Sequence, residues 1–363
     1  MGVSDTYSRG RTYLGDNPAA VAVAVVGGLL FIDMLRRLVD GTLEPAALGG
    51  YVWSGVVIGL VYGLAGIGLS LTYSILGFAN FAHGDYLTGG AFAGWSVAYV
   101  VGGIGIADIG SRLLVQATSG IINVTITTKP LVVVVGLLAA MVLSVAMVLV
   151  LDRLVYKPMR NQEGIALLIA SVGVAFALRY VIAFVFDVNT RGVTASPTTY
   201  DVSGVIVSSH EITLVVVSVL LMLGVHLLLQ ETKLGTAMRA MADNEDLARV
   251  TGIPTERVIR WTWVIGGALA GAAGFLLVLE SGTISYNFGW RLLLLIFAAV
   301  ILGGIGSVYG AMAGGVLIGV AENISLIWLF GPWTDFARPV AFGLMILVLL
   351  FRPSGIFGGV TTA

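Results

Sequence analysis

The 363-residue chain contains no cysteine. Disulfides, thiolate nucleophiles and cysteine metal sites are excluded together. Histidine is nearly absent as well: His83, His210 and His226 stand far apart, with no spacing suited to a metal site. Charged residues make up 11% of the chain, against roughly a quarter in soluble domains. The 19 basic and 20 acidic residues leave a net charge of −1, so no overall field points to nucleic acid. No G-x-x-x-x-G-K-[ST] loop occurs, so ATP hydrolysis by this chain is not expected. No single motif joins a nucleophile, a base and an orienting group.

What is abundant is apolar. The chain is 58% hydrophobic with a mean hydropathy of +0.99, which fits an all-α, polytopic membrane protein. Its 49 glycines suit helices that pack closely in lipid. A spanning helix needs about 20 apolar residues. Ten segments qualify, near 19–35, 50–76, 84–103, 130–151, 164–186, 211–229, 259–279, 291–309, 310–329 and 336–351. The stretch 291–329 reads either as two spans or as a hairpin that crosses in part, which gives 8–10 spans. The first segment follows Arg9 and Arg11 like a signal peptide, but Asp33, Arg36 and Arg37 stand where a cleavage site would be. A retained helix in an extension over 1–45 is expected, then a core over 46–358 and a tail over 359–363.

Basic residues concentrate on the cytoplasmic side of membrane proteins. Lys233, Arg239, Arg249, Arg257 and Arg260 lie in 230–260, and Arg153, Lys157 and Arg160 in 152–163. Both loops are therefore expected inside, with the N- and C-termini. The loops 104–129, 187–210 and 280–290 are poorer in basic residues and are expected outside. Arg36 and Arg37 would also fall outside.

The inner loop "ETKLGTAMRAMADNEDLARVTGIPTERVIRW" is far longer than the usual connection of about 4–6 residues. Met238 and Met241, then Leu247 and Val250, repeat a spacing of three. Asp243 or Asn244 can cap a helix from Glu245, Gly252 supplies a left-handed stop, and Pro254 prevents continuation. Such a pair of short helices suits docking into a groove on another protein. It would equally suit an amphipathic segment lying on headgroups.

Four stretches resemble one family: "GLVYGLAGIGLSLTYSILGFANFAHGDY", "GTAMRAMADNEDLARVTGIPTERVIRWTWVIGGALAGAAGFL", "AAVILGGIGSVYGAMAGGVLIGVAEN" and "RPSGIFG". They look like permease subunits of branched-chain amino acid ABC importers, the LivH type, over roughly residues 50–358. The resemblance implies that the 230–258 loop, with Gly235, Arg239, Ala240, Asn244, Ala248 and Gly252, carries the coupling helix that seats on an ATPase. It implies two ATPase subunits binding ATP and Mg, a second related permease, an extracellular or periplasmic solute-binding protein, and a place in the cell membrane. No cofactor of the chain's own is implied. Urea and short-chain amide importers share these motifs. The match has gaps: residues 1–45 have no counterpart in shorter members, loop 104–129 is longer, and Asp85 stands where a glutamate is common.

"FANFAHGDY" interrupts the apolar sequence with Asn80, His83, Gly84 and Asp85. Irregular backbone at membrane depth is tolerated where protein or a water-filled cavity satisfies it. The break is thus a candidate for the translocation path or its gating. The structural alternative is that Asp85 caps a helix from Tyr86 while His83 bonds a nearby carbonyl. A second break, with Gly303, Gly304, Ser307 and Gly310, echoes the first: "ILG" at 75–77 recurs at 301–303, which suggests two related halves. Of the ionisable residues within apolar segments, Glu322 would line the path or pair with Arg338 or Arg179. In a different class, an ion-coupled carrier or channel, Glu322 would carry the coupling; the long structured inner loop argues against it.

Overall fold

The computed structural model describes residues 18–115 and 122–358, so Arg9, Arg11 and the 359–363 tail lie outside the described residues. Helices α1 (Pro18–Val39), α2 (Pro45–Leu76), α3 (His83–Gly102), α4 (Pro130–Leu151) and α5 (Gly164–Phe186) come first. Pro45 and Pro130 open α2 and α4, a position where the missing N–H has no helical partner to lose. Two small antiparallel pairs follow: β1 (Arg191–Gly192) with β4 (Thr283–Ile284), and β2 (Thr199–Val202) with β3 (Val205–Ser208). Then come α6 (Ser209–Glu231), α7 (Lys233–Asp243), α8 (Glu245–Val250) and α9 (Thr255–Ser281). The chain closes with α10 (Phe288–Gly303), α11 (Val308–Ser325) and α12 (Ala337–Phe351).

All ten expected segments fall on helices. Among the described residues seven helices are long and apolar enough to cross a membrane, and α10 is a shorter apolar helix. The stretch 291–329 resolves into two helices broken at 304–307. At 16 residues, α10 is about 24 Å long and too short for a hydrocarbon core of about 30 Å.

Packing fixes the direction of each helix. A Cβ on Gly319 would lie 2.4 Å from the Gly55 carbonyl, and one on Gly315 would lie 2.3 Å from the Gly63 nitrogen. Helices α2 and α11 therefore run antiparallel, in contact along glycines spaced by four. The ring of Trp95 (α3) stacks on Phe275 (α9) at 4.7 Å, while Gly136 and Ser144 of α4 meet Phe275 and Gly271. The loop 230–254 and the turn 304–307 share one end of the bundle: His226 of α6 and Tyr309 of α11 hydrogen-bond at 2.7 Å. The β2–β3 hairpin marks the other end, where Gly49 meets Val205. Helix α1 is joined to that end, since Trp328 Nε1 donates to Asp33 at 2.9 Å. Asp33 also pairs with Arg36 and Arg37, so these two cations are partly neutralised within their own helix. The segment after 121 packs inward, burying Ile122 and Val124.

The chain repeats itself upside down. Helix α2 ends at Gly77 with φ +69° and α9 at Gly282 with φ +72°, a left-handed conformation that glycine adopts without penalty. Each is followed by a six-residue break, 77–82 and 282–287, and then by a helix that re-enters the bundle. The "ILG" echo is corrected by the fold. The counterpart of Gly77 is Gly282, not Gly303, because what recurs is a helix cap and a re-entrant turn rather than a tripeptide.

Candidate functional site

Residues 77–82 double back along α2, and protein groups satisfy part of the break, while Asn80 Nδ2 is buried without a hydrogen-bond partner. The Asn80 side-chain oxygen accepts from the Ala82 N–H at 3.0 Å, and the Phe81 N–H donates to Ser171 Oγ of α5 at 3.0 Å. Tyr156 donates to Asn80 Oδ1 at 3.5 Å, and the Tyr86 and Tyr156 hydroxyls share a bond of 2.9 Å. His83 Nε2 lies 2.9 Å from the Ala65 carbonyl, which fixes the proton on that nitrogen and sets the start of α3 level with the middle of α2. The expected carbonyl partner for His83 is therefore present.

The expected cap is not. Helix α3 starts at His83 behind Ala82, with no side-chain cap, and Asp85 sits fully buried in its first turn. Its carboxylate instead receives two bonds from Arg179 of α5, Nε to Oδ1 at 3.1 Å and Nη2 to Oδ2 at 2.9 Å. A two-pronged charged pair outweighs one backbone cap once both groups are out of water. The same guanidinium lies 4.2 Å over the Trp290 ring and 5.1 Å from Phe176. Arg179 thus joins α3, α5 and α10. The alternative pairing of Arg179 with Glu322 does not occur.

At this level the two re-entrant helices meet. A Cβ on Gly289 would lie 1.9 Å from the Gly84 carbonyl, and the Gly289 N–H donates to Thr88 Oγ1 at 3.2 Å. Gly84 and Gly289 are 205 residues apart (84 to 289), the same interval as the two caps (77 to 282). They face each other across the approximate two-fold relation.

The second break is a turn at the loop end of the bundle. Gly304 has φ +107°, and Ser307 Oγ accepts from the Gly310 N–H at 2.9 Å, capping α11. A Cβ on Gly303 would meet the Gly310 backbone at 1.9 Å. The "RPSGIFG" segment closes over this turn: the N–H groups of Ile356 and Phe357 donate to the carbonyls of Leu302 and Gly303 at 2.9 Å each. Glu322 lies far along α11 from the 77–82 and 304–307 breaks, near the hairpin end and beside the 282–287 break. It accepts from the Tyr62 hydroxyl at 2.8 Å and from Arg338 at 3.4 Å, the partner expected. It borders a cavity of about 820 Å³ shared with Glu280, Arg291 and Arg338. The nine residues singled out around the breaks thus fall into three groups rather than one site.

The loop between the halves folds as expected, with a capped helix pair. Thr232 caps α7 through the Gly235 N–H at 3.1 Å, and Asn244 rather than Asp243 caps α8 through the Leu247 N–H at 2.9 Å. Gly252 takes φ +88°, and the Ile253 N–H returns to the Ala248 carbonyl at 3.0 Å. Gly235 lies against Leu229 with no room for a side chain. Arg239 turns inward and donates to the Leu229 carbonyl at the end of α6. Met238, Met241 and Ala248 are buried, and Ala240 packs against the core. What faces outward is Leu247, 62% exposed, and Val250, 81% exposed. The spacing of three marked these two residues in the sequence, but it did not tell their outward face from the inward face of the methionines.

Two broken helix pairs meeting at mid-height, with a capped helical projection between the halves, define the membrane-embedded subunit of a transporter. Residues 51–349 match the family described as the branched-chain amino acid transport system permease component, and the chain belongs to that family. It is 34% identical over 311 residues to the high-affinity branched-chain amino acid transport system permease protein BraD of Pseudomonas aeruginosa, covering 84% of this chain and 94% of the relative. It is 32% identical over 316 residues to LivH of Escherichia coli K12, covering 85% and 94%. A weaker likeness, 28% over 124 residues, links it to LivM of the same organism, covering 34% of this chain and 28% of that protein. No solved structure matches the chain.

Proposed function

We propose that the chain is the permease subunit of an ATP-driven importer for branched-chain or related hydrophobic amino acids. The observation that carries the reading is the α7–α8 projection, which exposes Leu247 and Val250 on a rigid, doubly capped scaffold. Two ATPase subunits, which bind ATP and Mg, work with the complex, and one of them seats on that projection. Their closure moves α7 and α8 against the ends of α6 and α9. The motion reaches the paired breaks at Gly84 and Gly289, and the bundle alternates between inward- and outward-open forms. A second, related permease completes the pore. A solute-binding protein outside delivers the amino acid. The loop end, with its basic residues and the 352–358 segment, faces the cytoplasm. In this reading Asn80, His83, Gly84 and Asp85 hold the hinge of the gate, and the chain has no catalytic step of its own.

The test is a mild-detergent pull-down of the tagged chain from native membranes, followed by uptake of radiolabelled leucine into liposomes holding the recovered complex. Recovery of ATPases and ATP-dependent uptake support the reading. A chain recovered alone that still moves solute without ATP overturns it.

A further inference from the structure

We infer that the cleft between the end of α4 and the start of α9 is a binding site for the phosphate of an anionic phospholipid. The cleft measures about 970 Å³ and is lined by Leu149, Val150, Arg153, Lys157, Arg160 and Arg260, with Asp152 and Glu256 among them. Helix α4 does not end regularly here. It passes into a π-helical turn, Asp152–Tyr156, a distortion that often accompanies a site.

The charges in the cleft divide into spent and unspent. Arg160 is held by both oxygens of Asp152, at 2.7 and 2.8 Å, and by Glu256 at 2.7 Å. Lys157 lies 3.3 Å from the other Glu256 oxygen. Arg153 and Arg260 make no hydrogen bond or ion pair among the described residues, and both are exposed. Two acids therefore face four cations, and the two cations left over are those that reach outward.

The surroundings fit a lipid rather than a free ion. Along α4 the exposed residues Leu131, Val134, Leu138, Val142 and Val150 form one apolar stripe that leads to Arg153. Beside Arg260 stands Trp261, 45% exposed, the kind of ring that settles at the headgroup level. A phosphodiester between Arg153 and Arg260, with acyl chains along the stripe, satisfies both. Basic pockets on the cytoplasmic face of membrane proteins bind anionic lipids in this way.

The experiment is native mass spectrometry of the purified full-length chain, titrated with phosphatidylglycerol, with phosphatidylcholine of the same acyl chains, and with inorganic phosphate. Phosphatidylglycerol is expected to bind tightest, and Arg153→Gln with Arg260→Gln to weaken it about thirtyfold. The double lysine variant, Arg153→Lys with Arg260→Lys, keeps most of the binding. Should the double glutamine variant fail to fold, each single variant is read instead, with about fivefold expected. Equal binding of the two lipids, unchanged in the variant, overturns the site. So does inorganic phosphate competing as well as the lipid. A variant that retains the lipid but no longer co-purifies with another protein reassigns the cleft to a protein contact and also overturns it.

Discussion

Gly84 and Gly289 touch backbone to backbone where the two re-entrant helices meet, and Thr88 Oγ1 accepts the Gly289 N–H at 3.2 Å. Neither position admits a side chain. Gly289→Ala places a methyl group on the Gly84 carbonyl, and overpacking of this kind costs about 1–3 kcal/mol. The expected outcome is a lower melting temperature of the detergent-solubilised protein. Gly343→Ala, in open space on α12, is the control and leaves stability unchanged or slightly raised.

The Asp85–Arg179 pair makes a second prediction. Asp85→Asn leaves Arg179 buried without a counter-charge, a loss of about 3–5 kcal/mol. Combining it with Arg179→Met removes the stranded charge, so the double variant is expected to melt above the Asp85→Asn single variant. A double variant that melts at or below it would show that the pair itself is not what the single change breaks.

For the coupling loop, inward and outward residues separate. Leu247→Asp with Val250→Asp is expected to abolish recovery of ATPase subunits while leaving the melting temperature of the permease unchanged, since both side chains face solvent. Arg239→Glu acts differently. It sets a carboxylate against the Leu229 carbonyl, so it is expected to lower the melting temperature as well as ATPase recovery. Circular dichroism melts beside the pull-down distinguish the two.

The Arg160 clamp offers a prediction in magnitudes. The Asp152 side chain is 11% exposed and that of Glu256 is 59% exposed. A solvent-exposed pair contributes about 0–1 kcal/mol, so Glu256→Gln is expected to shift stability little. Asp152→Asn removes the shielded, two-oxygen half of the clamp and is expected to cost about 3 kcal/mol, read in the same melt.

Much of this was legible in the sequence. Apolar run lengths located α1–α6 and α9–α12, because a helix in lipid must satisfy its own backbone and so announces itself by composition. A cap at Asp243 or Asn244 and the stop at Gly252 were readable because capping acts over three or four residues, and the structure chose Asn244. The His83 bond to a carbonyl was one of the two readings that the sequence left open. What depends on which helices become neighbours was not readable. Asp85 had a local role open to it as a helix cap, and only the approach of α5 brought Arg179 to it.

The sequence by itself determined that this is a multi-pass helical protein, roughly where its apolar helices lie, and that a structured projection divides it in two. Those properties follow from local physics: residue type, burial in lipid, and caps within a turn. The tertiary structure decided that Gly77 answers to Gly282, that Glu322 stands apart from the 77–82 and 304–307 breaks, and that Leu247 and Val250 rather than Arg239 face outward. Each of these turns on a contact between residues far apart in the chain. No spacing within one segment encodes such a contact, because it exists only once the helices have packed.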